Sequence, residues 1–231
     1  FAFALWDRER QTLSLVRDRM GVKPLYVART GAGLAFGSEL KALRAAPGFA
    51  AEIDRNTLTL FFRYGYIPAP YAIFRNTWKD EPGTILEIGP GKAHDPGRWS
   101  RRAFWSMRES VTSAAAAPLQ TSDREAISLL EDTLANAVEA RMVADVPLGA
   151  FLSGGLDSST VVALMQARSS RPARTFSIGF READYDEAPA ARAVAQHLGT
   201  DHTELYVTPE EAMATIPLLP SIYDEPFADS S

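Results

Sequence analysis

Cysteine is missing from all 231 positions, which excludes disulfides, thiolate metal sites and a cysteine nucleophile within this stretch. Histidine is scarce. His94, His197 and His202 stand apart without ligating partners at metal-motif spacing, so metal binding through them is not expected, and surface or capping roles suffice. No apolar run approaches the roughly 20 residues of a membrane span. Residues 1–6 are too short for a secretory core and carry no basic lead. Lysine and arginine form no block, and the formal net charge is -5, so nucleic acid and anionic membrane are not expected partners. Small soluble metabolites and a cytoplasmic location fit better. The chain opens on Phe1 rather than Met and stops at Ser231 after an acidic, loop-like stretch, so an internal fragment is expected.

A hydrophobic content of 46% is enough for one or two cores. Short strands are expected at 1–6, 12–16, 24–28, 34–37 and 84–88, separated by Asp/Arg/Gly-rich turns, which makes an antiparallel β region. Ser38 is placed to cap a helix over 39–44. A second helix is expected over 54–64 with Leu58, Phe61 and Phe62 on its buried face. A stretch of small and polar residues without amphipathic period, including Ala114 to Ala117 and Pro118, reads as a linker, giving domains at 1–105 and 121–231 around 106–120. Beyond it Ile127, Leu130, Leu134, Val138 and Met142 fall at helical spacing after Thr121 or Ser122 as cap. Strands and helices then alternate: strand 174–180, helix through Ala191, Val194, Ala195 and Leu198 to Gly199, strand 203–207, helix 209–216. This predicts α/β architecture, with a parallel sheet, helices on both faces and ligands at the carboxyl ends of the strands.

At one such end lies Ser153-Gly154-Gly155-Leu156-Asp157-Ser158-Ser159, preceded by the apolar run from Val146 to Leu152 and followed by a helical pattern. Adjacent glycines let backbone N–H groups approach an anion, a helix start adds unpaired amides and a positive dipole end, and serines supply hydroxyls. The loop predicts an ATP-using protein. No lysine follows the second glycine as in a Walker A loop, so the β- and γ-phosphates held together as a leaving group suit it better than γ-phosphoryl transfer, with Asp157 available for Mg²⁺. The alternative reading is an ordinary glycine-containing βα turn.

This heptapeptide resembles the SGGxDS pyrophosphate loop of the N-type ATP pyrophosphatases. Arg17 to Tyr26 and Gly37 to Leu43 resemble the late part of a class II glutamine amidotransferase domain, the end of an Ntn-type glutaminase β-sandwich of α+β class. Their join to an SGGLDSS domain is similar to the glutamine-hydrolysing asparagine synthetase family. So are Asp145 to Gly149, Ser177 to Phe180, Tyr185 to Glu187 and Tyr223 to Ser231.

The resemblance implies that Ser153, Gly154, Gly155, Asp157 and Ser158 grip pyrophosphate, while Phe151 and Ile178 contact the adenosine moiety. Core filling would explain Phe151 and Ile178 equally well. Asp224, Glu225 and Asp229 could serve an amino-acid substrate or a metal, or form a solvated acidic loop. Asp186 and Glu187 read as a helix cap and dipole partner. Arg17, Asp18, Gly21, Pro24, Ser38, Glu39 and Lys41 read as architectural, with Arg17 and Asp18 paired locally.

For the parent protein the resemblance implies ATP-dependent amidation of aspartate through an aspartyl-adenylate, releasing AMP and pyrophosphate, with ammonia from glutamine and with Mg²⁺ as a cofactor. A homodimer is compatible with it. In the family a leading cysteine is the glutaminase nucleophile, and a serine-glycine-acidic motif completes the synthetase site. These are expected upstream and downstream of the present residues, so no catalytic residue is expected within them, and the chain alone is expected to be inactive. Two alternatives stay open: a related ligase acting on another carboxylate, such as a β-lactam synthetase or a peptide- or surface-polymer-tailoring enzyme, and a non-catalytic ATP-binding module.

Overall fold

A computed structural model describes residues 1–181 and 186–228. The chain divides into two compact units, Phe1–Pro118 with Pro217–Ser231, and Leu119–Ile216.

The first unit contains, in order, β1 (Ala2–Asp7), β2 (Thr12–Arg17), β3 (Tyr26–Thr30), β4 (Gly33–Gly37), α1 (Leu40–Arg44), α2 (Arg55–Tyr64), β5 (Thr77–Lys79), β6 (Thr84–Ile88), β7 (Ser100–Ala103) and α3 (Met107–Ala116). Two antiparallel sheets form, in the orders β1-β2-β6-β7 and β4-β3-β5. Leu15, Leu86 and Ile88 from the first sheet meet Val27 of the second, and Leu25 just before β3, in one buried cluster. Alternation along β3 turns Tyr26 and Ala28 the other way, into a second cluster with Leu40, Leu43, Ile67, Ala72 and Ile73. Each fully buried Leu or Val contributes about 1.5–3 kcal/mol.

Arg17 and Asp18 do not pair with each other. The Arg17 guanidinium donates to the carbonyls of Lys23 (3.0 Å), Gly21 (2.9 Å) and Asp80, while the Asp18 carboxylate accepts from the amides of Met20, Val22 and Lys23. Burial alone would raise the Asp18 pKa, but the amides of Lys23 and Val22 hold it well below the usual carboxylate range. Gly21, at φ +64°, completes this knot of turns.

Three expectations change in this unit. Ser38 is not the cap of α1: Glu39 occupies that position without a capping side chain, and the amides of Leu40 and Lys41 are taken by Asp224 from far along the chain. Phe62 is exposed, and Leu58 and Phe61 carry the packing face of α2. Residues 107–116 are helical. Ser106 caps them and alanine favours helix, although none of their side chains is buried and they lack an apolar stripe.

The second unit contains α4 (Asp123–Arg141), β8 (Gly149–Phe151), α5 (Leu156–Ala167), β9 (Arg174–Phe180), α6 (Ala188–Leu198), β10 (Asp201–Val207) and α7 (Pro209–Thr215). Ser122 and Glu125 form a reciprocal capping box at the start of α4. Within the unit Ile127 and Leu130 of this helix are exposed, and only Ala135 is buried. The three strands pair in parallel in the order β8-β9-β10.

Both crossovers step the same way across the sheet, so right-handed connections put α5 and α6 on one face rather than on both. Leu152, Val162, Ala191 and Ala195 form the core there. Phe151, Phe176, Ile178 and Leu205 occupy the opposite face and are exposed among the described residues of this unit.

Candidate functional site

β8 ends at Phe151, and four residues later Gly155 is the N-cap of α5. Gly154 lies between them at φ +80°, where L side chains are strained, and a Cβ there would stand 2.8 Å from the backbone of Ala190 and Ala191 in α6. The loop backbone is therefore pressed against α6 as closely as glycine allows. Ser153 and Ser158 face each other across the turn, with their hydroxyl oxygens 2.9 Å apart. The Ser153 amide donates to Ser158 Oγ (3.3 Å), and the Gly155 amide to Ser153 Oγ (3.4 Å).

Gly155 offers no capping side chain, so the first-turn amides of α5 are not closed by a side chain at the cap. Asp157 projects from that turn and is exposed. The donors of the loop, namely amides, two facing hydroxyls and a helix N-terminus, fit a polyphosphate. The cradle depends on the missing Cβ at Gly154.

Phe151 is 78% exposed and Ile178 48%, so neither is core filling in this unit. Phe151 pairs with Phe176, and Ile178 follows two residues on along β9, which puts both on the open sheet face beside the loop. Seven residues of the sequence-based site, Phe151, Ser153, Gly154, Gly155, Asp157, Ser158 and Ile178, thus lie on β8, β9 and the turn into α5.

Asp224 and Glu225 lie in the first unit. The Asp224 carboxylate accepts from the amides of Leu40 (2.6 Å) and Lys41 (3.4 Å). The Glu225 carboxylate accepts from Lys79 Nζ (2.6 Å), the Ile73 amide (2.9 Å) and the Tyr26 hydroxyl (3.4 Å). Burial, then the charges of Glu225 and Asp224, push the Tyr26 phenol well above its ordinary value. Asp229 and Tyr185 lie outside the described residues. Asp186 accepts from the amides of Ala188 and Phe180, which tethers the start of α6 to the end of β9.

Ser177 opens one of the motifs that carry the resemblance, but nothing local assigned a role to its side chain or to Thr175, or moved His202 away from the surface. All three lie on the helix-covered face of β9 and β10, behind the loop. Thr175 is fully buried, and His202 is within hydrogen-bond distance of both hydroxyls. The one signal available was polar residues at alternate positions of strands whose neighbours are apolar.

A chain that carries this loop on a parallel βα unit, after a two-sheet antiparallel unit, has the layout of a two-domain nucleotide-dependent amidotransferase. Comparison with known proteins agrees. Residues 1–100 match the glutamine amidotransferase domain family and residues 129–231 the asparagine synthase family. The chain belongs to the family that joins these two domains, the glutamine-hydrolysing asparagine synthetases.

Among its relatives, a Methanocaldococcus jannaschii protein provisionally named glutamine-hydrolysing asparagine synthetase 2 is 35% identical over 100% of this chain and 43% of its own length. Glutamine-hydrolysing asparagine synthetase 1 of Bacillus subtilis is 31% identical over 99% of this chain and 34% of its own length. A Penicillium rubens protein named amidase chyE is 30% identical over 93% of this chain and 32% of its own length. The chain thus spans 43% or less of the length of each of these three relatives.

Proposed function

We propose that this chain contributes the ATP-binding loop and part of the amidotransferase domain of a glutamine-hydrolysing asparagine synthetase. In the full-length protein the reaction would be ATP-dependent amidation of aspartate through an aspartyl-adenylate. AMP and pyrophosphate would leave, and ammonia would come from glutamine. The observation that carries this reading is the glycine turn between parallel β8 and α5, whose Gly154 admits no Cβ and whose helix start is uncapped.

A carboxylate is a poor electrophile until a good leaving group is attached, so the protein's task at this end is to hold the departing diphosphate. The amides and the hydroxyls of Ser153 and Ser158 would bind its oxygens and stabilise the charge that develops on it. Asp157 would hold Mg²⁺, which neutralises phosphate charge when bound. Phe151 and Ile178, exposed on the open sheet face, would line the adenosine side. For Asp224 and Glu225 the bonds to Leu40, Ile73 and Lys79 favour anchoring of the 217–228 segment over contact with an amino-acid substrate.

That one relative of 30% identity carries a name other than asparagine synthetase leaves room for a second reading, amidation of a carboxylate other than aspartate on the same loop. Acid-dependent exchange of labelled pyrophosphate into ATP by the full-length protein separates the two. Exchange with aspartate supports the first reading. Exchange only with another acid replaces it with the second, and no exchange with any acid overturns both.

A further inference from the structure

The helix-covered face of β9 and β10 carries a line of polar side chains where apolar ones would be cheaper to bury. Thr175 is 0% exposed and Ser177 5%, and in the parallel register His202 stands beside Thr175 and Glu204 beside Ser177. His202 Nδ1 is 2.9 Å from Thr175 Oγ1, and its Nε2 is 3.2 Å from Ser177 Oγ. Ser177 donates its hydroxyl proton to the Leu152 carbonyl at 2.8 Å.

A hydroxyl has one proton to give, so the bond between Ser177 and His202 must be donated by Nε2–H. In the Nε2–H tautomer Nδ1 accepts from the Thr175 hydroxyl, which Thr200 Oγ1 approaches to 2.9 Å on its other side. Glu204 lies 3.7 Å from Nε2 and is held by Arg192 of α6 at 2.6 Å.

The line leads to one peptide group. The Leu152 carbonyl and the Ser153 amide belong to the same planar unit, so fixing the direction of one fixes the other. Ser177 grips the carbonyl, and Ser158 of α5 accepts from the amide at 3.3 Å. That peptide is the first of the glycine turn, and its plane sets where the loop amides point.

We propose that His202 is a positioning residue of the phosphate loop. Acting through Ser177, it locks the Leu152–Ser153 peptide in the orientation that directs the loop amides at the bound diphosphate. The inference rests on the reading of this loop as an ATP site and adds a residue remote from the ligand. Glutamine can reproduce a donor at the place of Nε2, and asparagine a partner at the place of Nδ1, so the two replacements separate the bond to Ser177 from the bond to Thr175.

The test is calorimetric titration of the full-length protein with MgATP, together with KM for ATP in pyrophosphate exchange. Ser177→Ala and His202→Asn are expected to weaken ATP binding about tenfold, the worth of one buried hydrogen bond. His202→Gln is expected to recover most of the loss. Equal affinities for His202→Gln and His202→Asn would overturn the proposal, because a residue that merely fills the core cannot distinguish them. A wild-type protein that does not bind ATP would instead overturn the functional reading beneath it. In the wild-type protein, ¹⁵N–¹H correlation of the His202 ring is expected to show the Nε2–H tautomer, and a ring protonated only at Nδ1 would also overturn the proposal.

Discussion

Replacing Gly154 by alanine tests the cradle directly, because two other glycines provide internal controls. At Gly154 the new methyl meets both a left-handed backbone, φ +80°, and the α6 backbone at 2.8 Å. The first costs about 1–2 kcal/mol and the second about 1–3 kcal/mol of overpacking. Gly199, at φ +70°, has nothing within 4 Å of the added atom, so Gly199→Ala bears the backbone cost alone. Gly155 lacks positive φ and would meet only Ser153 Oγ at 3.4 Å, so Gly155→Ala is expected to keep stability within about 0.5 kcal/mol of wild type.

With a urea slope of about 2 kcal/mol per molar, Gly154→Ala should lower the unfolding midpoint of the unit by roughly 1–2.5 M, and Gly199→Ala by at most about 1 M. Calorimetry completes the comparison. Gly154→Ala and Gly155→Ala should both lose MgATP affinity, the second without loss of stability because its methyl enters the space proposed for phosphate. Gly199→Ala should bind ATP normally. Equal midpoints for Gly154→Ala and Gly199→Ala would refute the close packing of the loop on α6.

Other perturbations address the parts around the loop. Arg17→Lys keeps the charge but loses the fork that satisfies the carbonyls of Lys23, Gly21 and Asp80, and should cost about 2–4 kcal/mol in urea unfolding. Glu225→Ala leaves the largely buried Lys79 ammonium without its counter-ion and should cost about 3 kcal/mol. Replacing Lys79 and Glu225 together by apolar residues should recover part of that loss. Glu125 is held at about 2 by its bonds to the Thr121 hydroxyl and the Ser122 amide and hydroxyl. A carboxyl depressed in the folded state stabilises above its unfolded value and loses that contribution as pH falls, here from the ordinary glutamate range towards about 2. Titration of the Glu125 carboxyl by ¹³C NMR should show this low midpoint, and a midpoint at the ordinary glutamate value would contradict the capping box.

Where structure is dictated by neighbours in sequence, it was legible beforehand. The period of two along β6, Asp54 before α2, Ser122 three residues before Glu125 and Gly199 closing α6 all act within a few residues. So does the glycine turn, since a strand, two glycines and an uncapped helix start are local features.

What was not legible depends on distant partners. The cap of α1 comes from Asp224, which no inspection of Ser38 and its neighbours could reveal. β5 and β7 are three- and four-residue strands that owe their pairing to β3 and β6 rather than to their own composition. The placement of α5 and α6 on the same sheet face follows from strand order, which alternation of elements does not specify. His202 looked like a surface residue because its partners, Thr175 and Ser177, lie more than twenty positions away.

The account stands on the loop at Ser153–Ser158 holding the β- and γ-phosphates of ATP as they depart together. Following the full-length protein with ATP, Mg²⁺, glutamine and aspartate by ³¹P NMR tests this most directly. The expected products are AMP and pyrophosphate in equal amounts, and their formation should be lost in Asp157→Ala. Formation of ADP and orthophosphate would contradict it.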